Sequence, residues 1–204
     1  MSLGVAADVA VSRGDVLVRA LAAVGAVGLG GVLVGSLVGT AASAPSPGQD
    51  ARILNYLLLL EYLQEAFYKE ALAADALDGE LRRLAEIAGD HEQKHVGSLR
   101  AALGSSARPR PEFRFGDAVR SERKFAAAAL TLEETTAAAY IGQAANLTEK
   151  RITTVARIVP VEARHAAWIR ALLNRLPAPH AADPARTPKQ VERTLERTGF
   201  VKPS

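Results

Sequence analysis

The stretch His91-Glu92-Gln93-Lys94-His95-Val96-Gly97-Ser98-Leu99-Arg100-Ala101-Ala102-Leu103 returns 70 residues later as Val161-Glu162-Ala163-Arg164-His165-Ala166-Ala167-Trp168-Ile169-Arg170-Ala171-Leu172-Leu173. Each copy holds a Glu-x-x-His phrase, and each is preceded by a glutamate inside an apolar helical run. These are Glu61 in LLLLEYLQEAFY (57–68) and Glu133 in LTLEETTAAAY (130–140). The order Glu, ExxH, Glu, ExxH is the ligand set of a carboxylate-bridged dinuclear metal site in a four-helix bundle.

The upstream runs repeat as well: LEYLQEAFY (60–68) aligns with LEETTAAAY (132–140), an offset of 72 residues. A duplicated helical hairpin follows, its two halves related by a pseudo-two-fold axis. With 204 residues and 49% hydrophobic content the chain can bury one good core. It is rich in Ala and Leu and nearly free of β-type alternation, so the expected class is all-α. Helices are predicted over 50–74, 81–103, 121–145 and 149–173. Asn146-Leu147-Thr148-Glu149 has the form of a capping box for the fourth. Pro160 falls inside that helix and is expected to kink it. A short helix opened by Thr187-Pro188 is expected in the tail.

Between the halves lie residues 104–120, with Pro109 and Pro111. A helix of 24 residues is about 36 Å long, and a 17-residue connection reaches about 55 Å. The linker can therefore cross the whole bundle. Two short turns and one long crossover make the ferritin-like topology. The expected organisation is residues 1–44 as a signal peptide or anchor, 45–176 as the bundle and 177–204 as a tail.

A formal charge of +3, with basic residues scattered among acids, gives nucleic-acid binding little support. The absence of cysteine excludes disulfides and thiolate ligands, leaving His and carboxylates to bind metal. Residues three apart on a helix share a face, so Glu92 with His95, and Glu162 with His165, can each grip one ion. Glu61 and Glu133 are then expected to bridge the two. Four carboxylates and two neutral imidazoles balance two divalent cations, as a low-dielectric core requires. Oxygen-rich ligation with one imidazole per ion favours two Fe or two Mn over a structural zinc.

Several neighbours have two readings. Glu65 is either a carboxylate supporting the site or a surface partner of Lys69. Glu134 adjoins Glu133, and the repeat register favours Glu133 as the inward residue. Tyr68 and Tyr140 fall seven residues after Glu61 and Glu133 and are candidate catalytic residues, as phenols near the metals or donors to a ligand; ordinary core packing is the alternative. His91-Glu92-Gln93-Lys94-His95 is also literally HExxH, the zinc hydrolase motif. The second copy has Val161 in place of the first histidine and no third ligand follows, so His91 is expected to flank the site.

Residues 20–44 carry no charge and are loaded with Gly, Ala, Val and Leu, with Arg13 and Arg19 just before them. Ala42-Ser43-Ala44 offers an A-x-A cleavage site. The segment with Ser12–Leu17 looks like a twin-arginine signal peptide that has lost one arginine. It is also long enough to span a bilayer, so a membrane anchor is the second option. An exported protein, periplasmic or extracellular, is the expectation.

Taken together, LNYLLLLEYLQEAFY, HEQKHV, PEFRF, LEETTAAAY and VEARHAAWIRALL make residues 53–173 resemble the ferritin-like superfamily, specifically the exported bacterial proteins similar to plant desiccation-related proteins. The resemblance implies a di-iron or di-manganese bundle with ligands Glu61, Glu92, His95, Glu133, Glu162 and His165. Relatives of this fold include ferroxidases, peroxidases and manganese catalases, so it implies no single substrate. The reading is redox chemistry with O2 or peroxide in stress protection, in a monomer or homodimer. The alternative is a non-catalytic bundle in which metal only holds the helices.

Overall fold

Ser46 accepts from the Gln49 N–H at 3.3 Å, and Pro47 supplies a first residue with its φ preset, so α1 starts here and spans Pro47–Ala73. The computed structural model describes residues 44–201. Four more helices follow among them: α2 Gly79–Leu103, α3 Glu122–Ala144, α4 Glu149–Leu172 and α5 Pro188–Thr198. The expected helices fall within three residues of these bounds. The uncharged run expected as signal or anchor lies, up to residue 43, outside the described residues. Among the described residues no helix is long and apolar enough to cross a membrane.

The bundle is made of two antiparallel hairpins, α1 on α2 and α3 on α4, with α2 also facing α4 and α1 facing α3. Its interior is filled by Leu54, Leu57, Leu58, Leu60 and Leu63 of α1, Leu84 and Leu99 of α2, Phe125 and Ala129 of α3, and Ile158 and Ile169 of α4. Pro160 is accommodated inside α4 without ending it.

The crossover, residues 104–121, runs along α1 and is tied to it. Asn55 Nδ2 donates to the Ser106 carbonyl at 2.9 Å, and Asn55 Oδ1 accepts from the Arg108 N–H at 2.7 Å. The Arg110 guanidinium lies 5.1 Å from the Tyr62 ring centroid and pairs with Glu65. Glu65 is therefore paired neither with the site nor with Lys69: the crossover supplies the cation. Phe115 anchors the end of the crossover, with its ring 5.3 Å from Phe67 and 5.2 Å from Phe200.

The expected capping box at Asn146 does not form. The cap of α4 is Thr148, and its N–H and Oγ1 both donate to the Asp50 carboxylate on α1. The Asn146 N–H instead closes a turn on Gln143 O at 2.9 Å. A buried acceptor from another helix has taken over the role that the local sequence offered to Asn146. The capping box does form at α5, where Thr187 and Gln190 exchange bonds, and Gly199 ends the helix at φ 68°. Val191, Leu195 and Phe200 bury that segment.

The strap before α5 lies directly on α3. The Arg186 N–H donates to Ala138 O at 2.9 Å, and a Cβ on Gly142 would stand 2.1 Å from Arg186 O. Replacing Gly142 by Ala gains about 1 kcal/mol of helix propensity. It also forces a backbone carbonyl to move, which no rotamer change relieves. Gly142→Ala is expected to destabilise the fold by about 1–3 kcal/mol and to speed hydrogen exchange at the Arg186 amide. An unchanged exchange rate would show the strap not to be seated on α3.

Candidate metal centre

Glu61 lies one helical turn from Leu57 and Leu58 and shares their inward face, because the apolar stripe that drives α1 into the core carries the acid with it. Glu61, Glu92, Glu133 and Glu162 are each 0% exposed, with His95 at 8% and His165 at 3%. All six lie at mid-helix, one glutamate on each of the four helices. Fully buried carboxylates are costly unless paired or bound to a cation.

The six form two overlapping groups whose ligand atoms lie within 4.8 Å of one another: Glu61, Glu92, His95 and Glu162; and Glu92, Glu133, Glu162 and His165. Glu92 and Glu162 belong to both. This reverses the expected roles, since Glu61 and Glu133 each serve one group and do not bridge. Tyr140 O–H donates to Glu61 Oε1 and Tyr68 O–H to Glu133 Oε1, occupying one oxygen of each and leaving Oε2 to face His95 or His165, both at 3.3 Å. Glu92 instead turns Oε2 to His95 Nδ1 at 3.1 Å and Oε1 to His165 Nδ1 at 3.2 Å, so it lies between the groups.

The donors present are too few for the acceptors. His95 Nδ1 faces Glu162 Oε1 at 2.9 Å, Glu92 Oε2 at 3.1 Å and Glu61 Oε2 at 3.3 Å, yet one ring nitrogen carries at most one hydrogen. Glu61 Oε2, Glu92 Oε1 and Glu162 Oε1 are buried with no hydrogen-bond donor. Orphaned oxygens converging with an imidazole nitrogen are what a cation would satisfy, and one imidazole among carboxylates in each group suits Fe or Mn. The donor set fits a metal.

Protons stand in where metal is absent. Burial and the neighbouring Glu92 charge push Glu61 up to about 8, and burial together with Glu61 and Glu133 pushes Glu162 to about 8. Burial pulls His95 down, but the Glu162, Glu61 and Glu92 carboxylates gathered around its Nδ1 outweigh it and carry the imidazolium to about 12. His165 reaches about 11 for the same reason, held by Glu133 and Glu92. Burial also raises Glu133, but His165 and the Tyr68 hydrogen bond bring it below the ordinary carboxylate value.

Sequence reasoning missed two residues. Gln64 Nε2 donates to Glu162 Oε2 at 3.3 Å, and Thr136 Oγ1 donates to Gln64 Oε1, all buried. Both sit three residues after a site glutamate and match in the repeat register, a signal that was present in the sequence. His91 flanks the site as expected: its Nδ1 is 2.9 Å from His165 Nε2, the rings stack at 5.2 Å, and it joins neither ligand group. HExxH here therefore does not bring its two histidines to one position. Glu134 pairs with Arg170 away from the centre, leaving Glu133 as the inward residue.

Residues 49–175 match the family described as a ferritin-like domain. No curated protein matches the chain.

A group whose pKa is raised on folding contributes stability that is complete below its unfolded value and is lost as pH rises through the folded one. For Glu61 and Glu162 that window runs from about 4.5 to about 8. For His165 and His95 it opens near 6.5 and closes near 11 to 12. The opposite contribution comes from Glu133 alone among the six, since Glu92 is raised like the others. The melting temperature of the chelator-treated protein is expected to fall continuously from about pH 5 to about pH 8. A flat or rising profile there contradicts the assignment.

Proposed function

The chain belongs to the ferritin-like domain family, and on that premise we propose that it is a dinuclear Fe or Mn protein whose centre carries out redox chemistry with O2 or peroxide. The observation that supports this reading most is the pair of overlapping ligand groups sharing Glu92 and Glu162. Two Fe or Mn ions held there would supply electrons to, or accept them from, O2 or peroxide.

The chain's own residues then have distinct tasks. Glu61 with His95, and Glu133 with His165, hold one position each, while Glu92 and Glu162 are shared. Tyr68 and Tyr140 fix the rotamers of the two unshared glutamates, each from the opposite half of the repeat. Burial and the adjacent carboxylates raise both phenols well above their ordinary value, so they remain protonated donors. Gln64, held by Thr136, orients Glu162. The leucine-rich wall of α1 keeps bulk water from the carboxylates, which strengthens each of these bonds.

Export, with residues 1–44 as signal or anchor, and a role in stress protection of the kind associated with desiccation-related proteins, complete the proposal. They rest on the uncharged run at 20–44 and on the redox reading of the site. Fractionation of cells expressing the full chain tests export, and recovery in the cytosol alone would refute it.

Metal analysis of the full-length protein separates the roles. The unaltered chain is expected to hold two Fe or Mn after anaerobic loading. Glu61→Ala or Glu133→Ala should each cost one ion, whereas Glu92→Ala or Glu162→Ala should weaken both positions by about 10–100-fold or more. The loaded protein should consume O2 or H2O2 faster than the same concentration of free metal. Stoichiometric metal without turnover would leave a bundle that metal only stabilises, visible as a higher melting temperature in the loaded form.

A further inference from the structure

The two ends of the centre are not alike. The His95 end opens into a groove of about 520 Å³ between α2 and α4, whose walls carry Ser98, Arg151, Thr153, Thr154 and Arg157 beside His95 itself. The repeat makes a direct comparison possible. At the offset of 70 residues, Arg151 and Thr154 correspond to Leu81 and Leu84, and Ser98 and Ala102 correspond to Trp168 and Leu172. On the His165 side these counterparts are apolar: Leu84 is fully buried, and Leu81, Trp168 and Leu172 pack against the core. Side chains that fill one half are replaced in the other by guanidinium and hydroxyl groups around open space.

Packing does not account for this replacement. Arg151 and Thr154 are half-buried rather than free on the surface, and Thr153 and Arg157 are exposed at the rim. Among the described residues neither arginine side chain has an ion-pair or hydrogen-bond partner, and the groove wall itself carries no carboxylate; Arg151 also borders the adjoining cleft at Asp50, whose two oxygens accept from Thr148. Two cations with threonine hydroxyls between them, in a concave site, concentrate anions and present N–H donors to a planar or tetrahedral oxyanion. The same two charges repel a divalent cation, so the groove is unsuited to delivering metal.

We propose that this groove binds a small oxyanion, a phosphate or a carboxylate, beside the His95 position of the centre. The anion's oxygens take hydrogen bonds from Arg151 and Arg157, with Thr154 completing its shell; Ser98, whose hydroxyl donates to the Lys94 carbonyl at 2.9 Å, contributes the space that a larger side chain would fill. At the His165 end His91 stacks on the imidazole, and Leu81, Leu84 and Trp168 at the corresponding positions offer no charged or hydroxyl donor. Binding itself does not require metal, whereas its proximity to a metal ion rests on the function proposed above, and the two are measured separately.

Inorganic phosphate and acetate are titrated separately into the full-length metal-free protein and followed by calorimetry, so that the preferred anion class is identified. The Arg151→Gln and Arg157→Gln variants should each bind the preferred anion about tenfold more weakly, one charge-assisted hydrogen bond being lost in each. Ser98→Trp, which copies the filled side of the repeat, should abolish binding while leaving the melting temperature and metal content unchanged. In the Mn-loaded protein the 31P resonance of bound phosphate, or the 13C carboxyl resonance of labelled acetate, should be broadened beyond detection, whereas with Ser98→Trp the anion should keep the sharp resonance it has free in solution. No saturable binding of either anion to the unaltered protein, or equal affinity in the three variants, overturns the proposal. Binding to metal-free protein with sharp resonances after Mn loading, in protein shown to contain Mn, places the anion away from the centre and overturns it as well.

Discussion

Glu61, Glu92, Glu133 and Glu162 are held with none of their surface in water, where each carboxylate costs several kcal/mol unless something positive or hydrogen-bearing meets it. The bundle core is organised by that demand. Two imidazoles, two phenols and one amide converge on eight carboxylate oxygens, and three of those oxygens still lack a donor. An apolar core of the same shape would be more stable. The deficit makes sense only if cations are admitted, with protons on the histidines and on Glu61 and Glu162 as the substitute when they are not.

The same demand divides the carboxylates into two kinds. A phenol bond occupies one oxygen of Glu61 and of Glu133, and each belongs to a single group, whereas Glu162 belongs to both although its Oε2 accepts from Gln64. Glu92 has no such tether and points one oxygen at each histidine. Because each tyrosine bonds the glutamate of the opposite hairpin, the two halves of the repeat are stitched together at the site rather than only at its periphery. Residues far from the centre keep these helices in register. Asp50 of α1 caps α4, the crossover is pinned along α1 by Asn55 and Tyr62, and the strap before α5 rests on the bare backbone at Gly142.

Duplication supplied the symmetric ligand set, and departures from symmetry give the centre a front and a back. His91 stacks on His165, where the second copy has only Val161. Trp168 packs against the core at the position where the first copy has Ser98. The two differences put packed rings on the His165 half, while the His95 end faces a groove. The ligand set constrains what must be identical in the two halves, and the neighbouring turns are where they are free to diverge.

The all-α class, the helix positions and the six residues of the centre were legible in the chain itself, because helical periodicity and the repeated Glu-x-x-His spacing are local and survive any packing. Glu133 could be separated from Glu134 by repeat register alone. What sequence could not decide depended on partners distant in the chain. Asn146 has the local form of a cap, yet Asp50, almost a hundred residues earlier, reaches Thr148 first. Glu65 looked like a partner for Lys69, and the crossover brings Arg110 to it. Spacing put Glu61 and Glu133 forward as the bridging pair, but the glutamates common to both groups are Glu92 and Glu162, and which oxygens stay free is set across the bundle by Tyr140, Tyr68 and Gln64. Helical spacing fixes which side chains share a face; only the packing of four helices fixes which oxygen of each carboxylate is left to bind.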